Sequence, residues 1–154
     1  MEKRESLILT PGMMDEIIAH ALAGYPEEVC GIIAGAHGRG TVLYRGRNTS
    51  PTPTVAYEMD VDTLARQITF EDEGLALVAI YHSHPYGPDT PSPTDIERAS
   101  YPGSVYLIVS LVAPERPVVR GFRIAGERAR EIEVKIDQSD IFLTEGTTRQ
   151  PLNE

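Results

Sequence analysis

Apolar and polar positions alternate with two different periods along this chain, and the switches between them outline its elements. Met13, Met14, Ile17, Ile18, Ala21 and Leu22 recur at helical spacing behind Thr10, a capping residue, and Pro11, which suits the first helical position. This predicts a helix that Gly24 ends. Beyond the Tyr25-Pro26 break, the short apolar run Val29 to Ala34, the glycine-rich turn Gly35 to Gly40 and the run Thr41 to Arg45 read as a hairpin. Asn48 to Ala56 is rich in turn formers and prolines, which donate no ladder hydrogen bond, so it forms a loop or edge.

From Asp60 to about Glu71, the spacing of Val61, Leu64, Ala65 and Ile68 predicts a second helix. Gly74 then precedes the nearly all-apolar Leu75 to Tyr81, expected to be a central strand covered on both faces. A Pro/Gly-rich loop, Pro85 to Pro91, leads to a short helix starting near Ser92. Val105 to Leu111, Val118 to Ile124 and Ile132 to Ile136 add strands. The expected fold is α/β, a mixed central β-sheet flanked by helices. With no repeat and no linker, one domain is expected over residues 1–136, followed by a polar tail, 137–154, in which Ile141, Phe142 and Leu143 could dock.

Composition narrows the function classes. The 154 residues suffice for one core without disulfides, and no apolar run approaches the roughly 18 residues of a membrane span. The N-terminus is charged and mixed in sign, unlike a signal peptide, and the single cysteine, Cys30, asks for no oxidising compartment; a cytoplasmic protein without membrane attachment is expected. Acidic residues outnumber basic ones 23 to 14, and the formal charge of -9 disfavours nucleic acid as a partner.

Against that background, His82-Ser83-His84 followed by Asp95 stands out. Side chains two apart on a strand share a face, so His82 and His84 can converge on one ion while Ser83 turns away. Zinc takes imidazole nitrogen and carboxylate oxygen at about 2.0–2.2 Å, and catalytic zinc usually keeps three protein ligands and one open position. His82, His84 and Asp95 would supply the three. Such an ion activates water for attack on an amide, and a nearby carboxylate can take the proton and return it to the leaving amine. Glu28 is the candidate. The hydroxyl of Ser92, on the same side of the helix start as Asp95, is the best-placed donor to a tetrahedral oxyanion.

Plainer readings compete. An H-x-H pair at a strand end also suits a hydrogen-bonded surface pair, and Ser92-Pro93-Thr94-Asp95 has the form of a helix cap; capping and ligation are compatible, because a capping serine keeps its hydroxyl hydrogen free to donate. Glu28 could be a solvated acid, with Glu27 competing for its role, and only one of the two can point inward. Cys30 reads as a buried packing thiol. Asp89, His20 and His37 read as exposed polar residues without chemistry.

Taken together, these residues resemble the JAMM motif of the MPN (Mov34/PAD-1) family: a glutamate, then H-[S/T]-H-P, six residues and S-x-x-D. Here the pattern is Glu28, His82-Ser83-His84-Pro85, Tyr86 to Pro91, and Ser92-Pro93-Thr94-Asp95. The stretch Pro26-Glu27-Glu28-Val29-Cys30-Gly31 looks like the family's P-x-E-x-C-G block and selects Glu28 over Glu27. The resemblance implies an MPN domain related to cytidine deaminases, one catalytic zinc ion on His82, His84 and Asp95, acid/base work by Glu28, oxyanion support from Ser92, and hydrolysis of amide or isopeptide bonds. Deamination is not implied, since the H-x-E and P-C-x-x-C signature is missing.

Within the family the chain looks like the short, stand-alone prokaryotic members. These act after the C-terminal Gly-Gly of ubiquitin-like or sulfur-carrier proteins and release cysteine, a peptide or a conjugated protein. Asn48 to Met59 is the expected wall of a groove for that thin tail. Two alternatives stand beside this reading: a non-catalytic MPN scaffold for protein-protein interaction, and a RadC-like, DNA-repair-associated protein.

Overall fold

A computed structural model describes residues 5–138. The elements run β1 (Ser6–Leu9), α1 (Pro11–Gly24), β2 (Cys30–Ala36), β3 (Arg39–Arg45), α2 (Val61–Asp72), β4 (Ala76–His84), α3 (Pro93–Arg98), β5 (Val105–Ser110), β6 (Val118–Ala125) and β7 (Arg128–Ile136). The expected mixed α/β sheet is present: β4 lies antiparallel to β2 and parallel to β5, the arrangement of a central, doubly flanked strand.

The start of α1 is as the sequence predicts, whereas Asp60, expected as the first residue of the second helix, proves to be its cap. The Thr10 side chain accepts from Met13 N at the start of α1, with Pro11 in its first turn, and Asp60 accepts from Thr63 N at the start of α2. The β2–β3 turn is tighter than the Gly35 to Gly40 span suggests. His37 and Gly38 occupy it with φ of 56° and 74°, the left-handed conformations that a two-residue hairpin requires.

Two features depart from the pattern reading. β1, with Leu7 and Leu9 buried, pairs in parallel with β7 over four residues and touches β3 at Ile8, so the sheet closes into a barrel. Its partners lie over a hundred residues away or behind a helix, and four residues carry too little periodicity to announce a strand. β7 begins at Arg128, four residues earlier than expected, because Arg128 to Glu131 is the exposed half of a hairpin with β6. The polar stretch set apart as a tail lies outside the described residues from position 139 onward, as do Ile141, Phe142 and Leu143.

Two apolar clusters cover the two faces of the sheet. Met13, Ile17 and Ala21 of α1 pack with Leu7, Ile33, Tyr81 and Leu107; Phe70 of α2 packs with Ile32, Ile80, Ile108 and Phe122. The facing of β4 is set by a bulge: Ile33 pairs with Ala79 and Ala34 with Leu77, leaving Val78 as an extra residue. Downstream of it, Ala79 and Tyr81 point toward α1, and Ile80, His82 and His84 point the other way. Gly31 is required beside Tyr81, since a Cβ there would come within 2.3 Å of the ring. The Tyr81 hydroxyl in turn meets His20 Nδ1 at 2.7 Å, so His20 is half-buried and bonded rather than the exposed residue expected. No helix among the described residues is long and apolar enough to cross a membrane.

Candidate metal centre

The C-terminal end of β4 carries two imidazoles into one pocket. His82 and His84 are both buried, and their Nε2 atoms stand 3.1 Å apart. Asp95, in the first turn of α3, completes the group: Oδ1 lies 3.2 Å from His82 Nε2 and Oδ2 lies 3.0 Å from His84 Nε2. Asp95 is aimed by a capping box. Ser92 Oγ accepts from Asp95 N at 3.0 Å while Asp95 Oδ2 accepts from Ser92 N at 2.9 Å. Capping and convergence on the histidines are thus a single arrangement.

The loop between β4 and α3 is pinned at several points. The Pro88 carbonyl faces His84 Nδ1 at 2.7 Å, Ser110 Oγ donates to the Gly87 carbonyl at 2.8 Å, and Arg120 pairs with Asp89 at 2.9 Å. Asp89, expected to be merely exposed, is therefore an anchor of this loop. His82 is oriented differently: the Tyr57 ring stacks on it at 4.5 Å between centroids and 24° between planes, and His82 Nδ1 has no hydrogen-bond partner among the described residues.

The donor set fits a divalent ion. A carbonyl only accepts, so the contact with Pro88 places the hydrogen of a neutral His84 on Nδ1 and leaves its Nε2 lone pair facing a carboxylate oxygen and a second imidazole nitrogen. A proton would satisfy one of these close approaches; one cation satisfies all three. Ligand atoms around a tetrahedral ion with bonds of about 2.0–2.2 Å stand about 3.3–3.6 Å apart, within a few tenths of an ångström of the separations here. Among the described residues, these three form the one group of His, Cys, Asp and Glu side chains able to share an ion.

The electrostatics point the same way. Burial raises the Asp95 carboxyl, but hydrogen bonds from His82 and His84 outweigh it and hold the group well below the usual carboxylate range. Burial lowers His82, whereas at His84 the Asp95 carboxylate and the Pro88 carbonyl overcome burial and raise it. The centre is an anion facing two nitrogens in a site shielded from water.

Glu28 lies just before β2, buried, while Glu27 is exposed, so the inward residue is the one selected above. Its carboxyl is pushed up to about 7 by burial, with His84 pulling it down and Asp95 pushing it further up. The backbone on either side is clamped. Glu28 N donates to the Pro53 carbonyl at 2.7 Å, its own carbonyl accepts from Asn48 Nδ2 at 2.9 Å, and Val29 N donates to Ser83 Oγ at 2.9 Å. Ser83, which turns away from the ligands as expected, thus ties the β4 end to the residue after Glu28. Cys30 pairs in register with His82, and burial pushes its thiol up to about 12, an inert packing residue.

Asn48 and Tyr57 shape the surroundings of the site and were missed as individuals by the sequence reading, although Asn48 to Met59 was expected to wall a groove. Asn48 organises that loop: Nδ2 donates to the carbonyls of Glu28 and Ala56, and Oδ1 accepts from Ser50 N and Glu58 N. A lone Asn between Arg47 and Thr49 carries a turn signal, but its partners cannot be read from spacing. The loop, with α2 and α3, encloses a mainly apolar cavity of about 170 Å³ that opens beside His82, Ser92 and Asp95.

Residues 10–125 match the family model described as prokaryotic homologs of the JAB domain. The chain belongs to this prokaryotic JAB, or JAMM/MPN, family. It is 38% identical over 138 residues to a desampylase from Haloferax volcanii, covering 85% of this chain and 96% of that protein. It is 32% identical over 133 residues to the CysO-cysteine peptidase of Mycobacterium tuberculosis, covering 84% and 90% respectively. The crystal structure of a JAB1/MPN domain protein from Archaeoglobus fulgidus superposes with a TM-score of 0.55 at 16% identity, covering 85% of this chain and 96% of that one, a likeness of fold. The expected prokaryotic JAMM family and MPN fold are therefore borne out.

Proposed function

We propose that this protein is a zinc-dependent metallopeptidase or isopeptidase that hydrolyses the amide bond following the C-terminal Gly-Gly of a ubiquitin-like or sulfur-carrier protein. The chain is a hydrolase of peptide or isopeptide bonds, as its desampylase and CysO-cysteine peptidase relatives are named. The observation that carries the finer reading is the convergence of His82, His84 and Asp95 within 3.0–3.2 Å of one another, with Glu28 buried close enough to interact with His84 and Asp95.

His82 Nε2, His84 Nε2 and an Asp95 oxygen would hold the ion, which when bound supplies Lewis acidity to water and to the scissile carbonyl. Glu28 does the proton work. Burial pushes its carboxyl up in the metal-free protein, and a bound cation would pull it back toward the ionised form that accepts a proton from water and then hands it to the leaving amine. Ser92 Oγ uses its lone pair for the Asp95 N–H and donates to no described residue, so its hydrogen is available to a developing oxyanion. The intact donor set argues against a scaffold role, and the charge of -9 against a RadC-like association with DNA. A cytoplasmic setting belongs to the same reading, supported by the lone free cysteine.

The test is mass spectrometry of a carrier protein extended beyond Gly-Gly, incubated with the protein, with chelator, and with the Glu28→Gln variant. Trimming to Gly-Gly by the zinc-loaded wild type alone is expected. Equal cleavage, or none, in all three samples would reject the proposal.

A further inference from the structure

The cavity beside the metal centre carries one basic side chain. Its walls are Tyr57, Met59, Leu64, Tyr101 and Tyr106, and Arg98 lines it from the last turn of α3. Arg98 stands three residues after Asp95, on the same side of the helix, where Cβ atoms are about 5–6 Å apart. Arg98, like Arg47, Arg66, Arg116 and Arg128, makes no side-chain ion pair among the described residues, and it is the one of these that lines the cavity. An exposed guanidinium at the rim of an apolar pocket, with no carboxylate already bound to it, is open to an incoming anion.

The cavity is also held open. Tyr106 Oη accepts from Ser100 N at 3.1 Å and from Tyr101 N at 3.0 Å, which fixes the segment leaving α3 and aims Tyr101 at the pocket. It is a small pocket beside the ligands, suited to an amino-acid side chain or terminus.

Resting on the peptidase reading above, we infer that Arg98 binds the free α-carboxylate of the leaving residue, so that the preferred substrate is a carrier extended by one C-terminal amino acid rather than a carrier linked to a lysine side chain. In an α-linked residue the carboxylate sits two bonds from the leaving nitrogen, within reach of a side chain one helical turn beyond Asp95. In a lysine-linked conjugate the nitrogen is at the end of a butyl chain, and the neighbouring carboxyl is an internal amide. The overall step is hydrolysis: the C–N bond breaks, the water oxygen joins the carrier's glycyl carbonyl carbon, one water proton passes to the amine, and the residue leaves with its carboxylate unchanged.

Three substrates separate the outcomes: a carrier ending Gly-Gly-X with a free carboxylate, the same chain ending in a carboxamide, and a carrier joined to the ε-amine of a lysine peptide. The wild type is expected to favour the acid over the carboxamide about 10- to 100-fold in kcat/KM, since a site built for a charged group discriminates against its neutral isostere. Arg98→Gln should remove that preference by slowing the acid alone, and Arg98→Lys should restore part of it. The catalytically impaired Glu28→Gln protein should bind the acid tighter than the carboxamide in calorimetry. Failure to cleave any of the three would sink the peptidase reading itself. Cleavage with equal rates for acid and carboxamide, or an equal slowing of all three by Arg98→Gln, would overturn the role of Arg98 and leave that reading standing.

Discussion

The Ser83 hydroxyl accepts the backbone N–H of Val29 at 2.9 Å, and the Ser83 N–H donates to the Val29 carbonyl at 3.0 Å. This reciprocal contact ties the strand bearing both histidines to the residue beside Glu28, and both partners are buried. Ser83→Ala leaves the Val29 N–H without its acceptor, at a cost of about 1–3 kcal/mol. Urea denaturation should register that loss. Turnover should fall while zinc stoichiometry stays at one, because the ligands themselves are untouched; unchanged stability and activity would remove Ser83 from the design of the site.

Glu28 carries a cost in stability. Its carboxyl ionises near 4.5 in the unfolded chain and near 7 in the fold, so the folded state binds more protons between those values. Stability of the metal-free protein from this group therefore falls as pH rises from 4.5 to 7, by about 1–3 kcal/mol. Glu28→Gln should flatten that slope and make the metal-free protein more stable at pH 8, while lowering turnover at least about 100-fold. Parallel pH-stability curves for the two proteins would contradict this.

Asn48 holds the wall of the cavity through four hydrogen bonds within the loop and to Glu28. Asn48→Ala should speed amide hydrogen exchange at Ser50 and Glu58, its two backbone donors, and raise KM more than it lowers kcat. Unaltered exchange at both amides would show that the loop keeps its shape without the side chain.

Cys30 is fully buried with its thiol pushed up to about 12, so at pH 8 almost no thiolate is present. Native protein should resist iodoacetamide for hours and react promptly in denaturant. Cys30→Ala should keep most of the activity. Rapid labelling of the native protein would give this thiol a reactive role.

Much of this architecture was legible from residue order. The cap at Thr10 announced α1 and the apolar spacing from Val61 to Ile68 announced α2, because a cap and a 3.6-residue period act over a few neighbouring positions. His82, His84 and Asp95 were legible because strand alternation and one helix start suffice to bring them together. β1 was not, since its four residues gain stability from β7, far along the chain. The stacking of Tyr57 on His82, the bond between Tyr81 and His20, and the Asp89 anchor also depend on contacts across elements, for which sequence spacing carries no signal. The bulge at Val78 belongs with them. It sets which face His82 and His84 occupy, yet Val78 is one more apolar residue in an apolar run.

The most direct test of the account is zinc-edge X-ray absorption on the protein loaded with one equivalent of zinc, compared with His84→Ala. The expected spectrum has two imidazole nitrogens and oxygen ligands at about 2.0–2.2 Å, with loss of the bound ion in His84→Ala and a fold that persists. Zinc that does not bind, or a first coordination sphere without two imidazoles, would contradict it.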